Sequence, residues 1–239
     1  MSNSQQKNNH ELEYKETFTS KWGYRLLRIT LVPLIKAIFI KSVSGKQRIP
    51  KTGPVIIASN HESYLDFLCF SSIAGRPVHY LAAEVFFQKP LWRLLMKMTG
   101  QIRVDRDNPN KAEVHSQALS VLKQGRAFGI FPEGTRSRSG KLQKSFTGIA
   151  KFAVKSRAPI LPVGIINAYE VWPPGQHQPK LAKRIGIKIG EPIYLDQYNE
   201  LDTTEEDYRR ITDYVMVKIA ELIGQEYPFA DKNTLSELH

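Results

Sequence analysis

The chain has 239 residues, with 34 lysines and arginines against 23 aspartates and glutamates, 41% hydrophobic residues and one cysteine, Cys69. That length allows one substantial core, and a lone thiol excludes an intramolecular disulfide and any multi-cysteine zinc site while suiting a reducing compartment such as the cytoplasm. The net charge of +11 favours anionic partners (nucleic acid, acidic lipid surfaces, phosphorylated substrates or an acidic carrier) without choosing among them.

Residues 1–20 are polar and lack the hydrophobic stretch that follows the basic start of a secretory signal, so they read as a flexible tail. Residues 21–45 form an amphipathic helical segment. Arg25, Arg28 and Lys36 interrupt it well short of the ~20 apolar residues that a transmembrane helix needs. On a helix, Lys21, Arg25, Arg28 and Lys36 share an arc of roughly 80°, with Leu26, Leu27, Leu34 and Ile38 elsewhere. A cationic stripe beside a broad apolar face suits a helix lying on a membrane surface, the reading that the excess of bulky apolar residues favours; a helix packed on the protein's own core with a basic edge in water is the alternative. Pro33 removes one backbone donor and predicts a kink there.

Residues 46–227 form the main domain. Short β-prone runs, PVIIAS, VHYLAA, IRVD, AFGIF, ILPVGII and IGIKIG, alternate with the helical patterns YLDFLCFSSIA, LWRLLMKM, KAEVHSQALSVLKQG and SFTGIAKFAVKS. The alternation predicts an α/β fold: a single domain with a mostly parallel central sheet flanked by helices. KPLWRLLMKM (residues 89–98) is a second amphipathic piece, compatible with membrane contact or core packing. TTEEDYRRITDYVMVKIAELIG opens on threonine and acids and stops at Gly224, as a C-terminal helix should. Residues 228–239 are expected to be a tail.

In SNHESYLDF (residues 59–67) the strand PVIIA ends at Ser59, and a helix starting near Ser63 leaves His61 in the turn and Asp66 in the first helical turn. Five residues along one continuous helix would turn the two side chains ~140° apart, so they can meet only if His61 lies outside the helix. An aspartate bonded to Nδ1 would fix the ring and leave Nε2 free to take a proton from a hydroxyl. The spacing alone is a weak motif; a turn histidine followed by an aspartate that complements the helix dipole fits it as well.

The second constellation is AFGIFPEGTRSRSGK (residues 127–141). A strand runs into Glu133, Gly134, Thr135 and Arg136, so a sharp turn would present an arginine, hydroxyls and backbone N–H groups. Glycine permits close backbone approach, and a guanidinium fork matches phosphate oxygens. Glu133 would orient an arginine or bond a glycerol-like hydroxyl. An exposed basic hairpin is the alternative.

NHESYLD, GQIRVDR with Gly100, Ile102 and Arg106, FPEGTRS, and APILPVGI at 158–165 occur in this order, each at a predicted strand edge. Together, across roughly residues 50–190, they resemble the four motif blocks of the glycerolipid acyltransferases, most closely the bacterial 1-acylglycerol-3-phosphate acyltransferases. The resemblance implies His61 as general base on the acceptor's sn-2 hydroxyl, with Asp66 orienting it, and direct attack on an acyl thioester to give phosphatidic acid. It implies Arg106, Gly134, Thr135 and Arg136 as phosphate-binding residues, Glu133 as a residue that positions the acceptor, and structural roles for Pro159 and Pro162. The sequence departs from the family at Ser145, Phe146 and Thr147, where members commonly carry a basic pair before the glycine.

The thioester is already activated, so the resemblance implies no cofactor and no metal; the donor is acyl-CoA or acyl carrier protein. The other histidines, His10, His79, His115, His177 and His239, are scattered. Implied partners are a lysophospholipid acceptor, the acyl donor and a membrane surface with anionic lipids, with peripheral or monotopic attachment at the cytoplasmic face. A covalent acyl-enzyme through Ser63 or Cys69 is a further route. Another lysolipid or glycerol 3-phosphate could be the acceptor, and a non-catalytic basic membrane-binding protein is an alternative of another class. The charge alone suggests nucleic acid, but no recognition-helix or aromatic single-strand pattern accompanies it.

Overall fold

The computed structural model describes residues 17–104 and 111–230 of the chain. Helix α1 (Phe18–Ile29) opens on a capping box. The Thr17 hydroxyl accepts the Ser20 amide at 3.1 Å, and Ser20 Oγ accepts the Thr17 amide at 3.0 Å. Helix α2 (Leu31–Phe39) follows directly, so the segment expected as one helix over 21–45 is two, beginning three residues earlier. The break falls at Thr30 rather than at Pro33. A proline ring clashes with the carbonyl four residues before it, here Ile29, so α1 ends there and Pro33 lies in the first turn of α2, where no intrahelical donor is required.

The end of the same segment is not helical at all: Ile40–Ser44 is strand β1. Its partner is about 145 residues away in the chain, which no local pattern reveals. There follow β2 (Val55–Ser59), α3 (Leu65–Ala74), β3 (Val78–Ala83), α4 (Val85–Gln88), α5 (Pro90–Thr99) and β4 (Ile102–Val104). Then come α6 (Lys111–Lys123), β5 (Ala127–Ile130), α7 (Gly148–Ser156), β6 (Ile160–Ile166), α8 (Ala168–Val171), β7 (Ile185–Ile189) and α9 (Glu205–Ile223). The six strands expected from the apolar runs are β2 to β7.

The sheet order is β1-β7-β6-β2-β5-β3-β4, parallel throughout except for the β6–β7 pair. This is the α/β domain with a mostly parallel sheet that the alternation predicts. Strand β2 is buried at every position, as a central strand covered on both faces must be. Val55 and Ile57 face Phe39 of α2 and Leu65 and Phe70 of α3. Ile56 and Ala58 face Leu122 of α6, Phe152 of α7 and Val215 and Ile219 of α9. Each fully buried isoleucine or phenylalanine contributes about 1.5–3 kcal/mol, so these two layers hold the sheet rigid.

Because β2 runs parallel to both β5 and β6, the carboxyl ends of all three emerge along one edge. The connections leaving them carry residues 60–64, 131–147 and 167. In open parallel sheets this edge is where ligands bind.

Candidate active site at the carboxyl edge of the sheet

The turn after β2 is fixed first by Asn60. Its Oδ1 accepts the Ile165 amide at 2.8 Å and its Nδ2 donates to the Ile165 carbonyl at 2.8 Å, so a side chain continues the pairing of β2 with β6. Asp66, the second residue of α3, is fully buried and folds back over the turn. Its Oδ2 accepts the amides of Glu62 at 2.7 Å and Ser63 at 2.8 Å, and lies 2.8 Å from His61 Nδ1. His61 therefore sits outside the helix, within hydrogen-bonding reach of an aspartate in its first turn. The imidazole stacks on Phe131, with ring centroids 3.8 Å apart and an interplanar angle of 11°, which leaves Nε2 as the ring nitrogen for a substrate.

The loop after β5 clamps the backbone of His61 from both sides. Glu133 Oε1 accepts the His61 amide at 2.8 Å, while the Ser137 amide donates to the His61 carbonyl at 2.7 Å. The second Glu133 oxygen accepts the Gln143 amide at 2.8 Å. Expected to meet an acceptor hydroxyl, Glu133 is instead 2% exposed and turned inward, with both oxygens on backbone amides. Burial pushes its carboxyl up to about 7 against the pull of those amides. Gly134 closes the turn at φ +71°, and a Cβ there would meet the Phe146 ring at 2.9 Å. Phe146 is itself exposed.

Arg136 turns toward the histidine's own motif. Its Nη2 donates to the Tyr64 hydroxyl at 2.9 Å, and its Cζ lies 3.6 Å from the centre of the Tyr64 ring. His61, Thr135, Arg136 and Arg138 line one cavity of about 600 Å3, whose remaining wall is largely apolar, from Phe67, Tyr80, Phe86 and Met96. A smaller cavity of about 210 Å3 adjoins His61 on the Gly134 and Phe146 side. The arrangement sets a carboxylate-oriented imidazole beside guanidinium groups in an apolar cleft. It can deprotonate a hydroxyl on a molecule that carries both an anion and a hydrocarbon chain.

Arg106 lies outside the described residues. Ser63 spends its hydroxyl on the Trp172 carbonyl at 2.8 Å, and Cys69 is buried in the core, its thiol pushed up by burial and by the Asp66 charge; neither lines the cavity. Among the described residues no group of three or more His, Cys, Asp or Glu side chains is arranged to hold a metal ion. Sequence reasoning missed Arg138, although the alternation in TRSR puts it on the same side of an extended loop as Arg136. It also missed Glu62, a buried carboxyl whose Oε1 accepts from Asn60 at 3.1 Å and whose Oε2 accepts the Tyr169 amide at 3.3 Å. Burial and then the neighbouring Asp66 charge raise Glu62 to about 8. Nothing local distinguishes it from an exposed turn glutamate.

A family model described as acyltransferase matches residues 41–166. A 1-acyl-sn-glycerol-3-phosphate acyltransferase of Borreliella burgdorferi is 36% identical over 126 residues, covering 52% of this chain and 50% of that protein. The chain thus spans half the length of that relative. A protein of the same name from Bacillus subtilis is 28% identical over 164 residues, 68% of this chain and 78% of its own. The crystal structure of the 1-acyl-sn-glycerophosphate acyltransferase PlsC of Thermotoga maritima superposes with a TM-score of 0.69 at 25% identity, covering 84% of this chain and 78% of that one.

Proposed function

This chain belongs to the acyltransferase family, and from that premise we propose that it moves a fatty acyl group from an acyl thioester to the sn-2 hydroxyl of 1-acylglycerol 3-phosphate. The observation that carries the reading is the 2.8 Å contact between His61 Nδ1 and Asp66 in the wall of the cavity that also holds Arg136 and Arg138. The names of the Borreliella, Bacillus and Thermotoga relatives support the choice of acceptor.

In this mechanism Nε2 of His61 takes the proton of the sn-2 hydroxyl while its oxygen attacks the thioester carbonyl carbon. The imidazolium is stabilised by the buried Asp66 carboxylate, which also holds the ring in the required tautomer. Collapse of the tetrahedral intermediate breaks the C–S bond. The departing sulfur takes the proton from Nε2, so thiol and phosphatidic acid leave and the histidine returns neutral. Arg136 and Arg138 bind the acceptor phosphate, the role that the resemblance also implies for Arg106; Thr135 and the turn at Gly134 line the approach. Glu133 acts on the base itself, holding the His61 amide, rather than on the acceptor.

The acceptor is a lipid, and the surface supports a peripheral attachment to anionic membrane. Trp22, Leu26 and Ile29 of α1 and Leu91 and Leu94 of α5 are exposed on two helices that pack together so closely that a Cβ at Gly23 would meet Met98 Cβ at 2.7 Å. Arg25 and Arg28 accompany them, and α5 also supplies Met96 to the cavity. Attachment at the cytoplasmic face follows from where acyl-CoA and acyl carrier protein are found.

The test is acyl transfer by the full chain in detergent. It offers 1-acylglycerol 3-phosphate, other lysolipids and glycerol 3-phosphate, each with acyl-CoA and with acyl carrier protein donors. Phosphatidic acid is the expected product. Thiol release without an acylated lipid would instead mark a thioesterase, and undiminished transfer by His61→Ala would remove the assigned base.

A further inference from the structure

The aromatic residue inside the histidine's own motif has no role in the mechanism so far, although it touches the loop that carries Arg136. We infer that Tyr64 is a positioning residue for the phosphate-binding arginine, holding Arg136 in place without neutralising it; the inference rests on the acceptor reading given above.

Three observations converge on it. The Tyr64 ring is wedged among Trp172, Phe86 and Trp92, at centroid distances of 5.1, 5.7 and 6.2 Å, so the ring is braced from several sides. Arg136 lies on that braced ring, with Cζ 3.6 Å from its centre and Nη2 bonded to its hydroxyl at 2.9 Å. Nη1 of Arg136 is closed off from solvent and has no hydrogen-bond partner among the described residues, and Arg136 and Tyr64 both line the cavity with His61.

Chemistry explains why a tyrosine stands there. An exposed arginine of this length samples many rotamers, and fixing it costs entropy whenever a ligand binds. A carboxylate would fix it, but would also cancel its charge and compete with a phosphate for the same fork. Among the described residues Arg136 forms no ion pair with a carboxylate. A π-face and a neutral hydroxyl orient the guanidinium and leave its positive charge uncompensated for an incoming dianion. Tyr64 is the residue before α3 and His61 lies three residues earlier, so the same turn that holds the base sets the position of the anion site.

The experiment measures transfer by the full chain to 1-acylglycerol 3-phosphate and to phosphate-free 1-acylglycerol, at saturating acyl donor. Tyr64→Phe should raise KM for the phosphate-bearing acceptor about tenfold, the lower end of what one charge-assisted hydrogen bond contributes. Tyr64→Leu, which removes the ring as well, should raise it further. The preference for the phosphate-bearing acceptor should fall in that order, and in an Arg136→Ala background Tyr64→Phe should add nothing. Equal losses on both acceptors, or additive effects with Arg136→Ala, would overturn the inference and leave Tyr64 a packing residue. Binding of 1-acylglycerol 3-phosphate is also read without turnover from the fluorescence of Trp92 and Trp172 beside Tyr64. Wild-type binding that weakens in Tyr64→Phe, with no acyl transfer by either, would defeat the functional reading alone. No binding by the wild type would defeat both.

Discussion

At the scale of single residues, the site is built by carboxylates that do different work because their surroundings differ. Asp66 accepts two backbone amides and faces the imidazole, so it is held in one orientation behind the base. His61→Ala should lower kcat by about 10²–10⁴, the usual contribution of a positioned general base. Asp66→Asn should also lower kcat, since its amide oxygen can take the place of Oδ2 toward the Glu62 and Ser63 amides and Nδ1 but brings no charge to stabilise the imidazolium. Steady-state kinetics on both variants checks this. Glu62 and Glu133 are buried with weaker compensation and are raised to about 8 and about 7. A carboxyl whose pKa is raised on folding binds more protons folded than unfolded, so its stabilising effect is complete below its ordinary pKa near 4.5 and is lost as pH rises toward 8. The melting temperature should therefore decline between pH 5 and 8, and Glu62→Gln should flatten that decline. A wild-type profile with no decline across the interval would contradict the burial argument.

At the scale of elements, the positions of the loops depend on contacts at both edges of the sheet. Opposite the edge that carries His61, Arg76 just after α3 donates to the carbonyls of Pro50 at 3.1 Å, Gly53 at 2.9 Å and Gly125 at 2.8 Å, tying together the connections that enter β2 and β5. Arg76→Ala leaves three carbonyls without that donor and should destabilise the protein by about 3 kcal/mol, measured by urea denaturation. On β5, a Cβ at Gly129 would stand 2.3 Å from the Tyr80 ring, so only glycine lets Tyr80 lie across the strand beneath Phe131, the platform of His61. The strands β2 to β7 were legible because each is a short, β-branched apolar run between helical patterns. Strand β1 was not: IKSVS is exposed at three of its five positions, and its strand character comes from pairing with β7. The break before Pro33 was legible as a disturbance but not at its residue, since the clash is with Ile29 rather than at the proline.

At the scale of the whole molecule, exposed apolar side chains gather on α1 and α5, and α5 also supplies Met96 to the cavity that His61 lines. Exposed Trp22, Leu26, Leu91 and Leu94 sit on helices that pack against one another, and no helix among the described residues is long and apolar enough to cross a membrane. The double change Trp22→Ser and Leu26→Ser should weaken co-sedimentation with anionic vesicles by about tenfold or more, from the apolar area withdrawn, while transfer to detergent-dispersed acceptor persists. Unchanged sedimentation would count against α1 as a membrane-contacting helix. By itself the sequence determined the α/β alternation, the motif blocks and the residue types at the site, because these follow from local periodicity and from chemistry carried within a few residues. Tertiary structure decided which of them meet. Glu133 turned from the acceptor to the His61 amide, and Tyr64 met Arg136 across 72 residues of chain. Both follow from parallel pairing of β2 with β5, which sets two distant strand ends side by side and which no local pattern encodes.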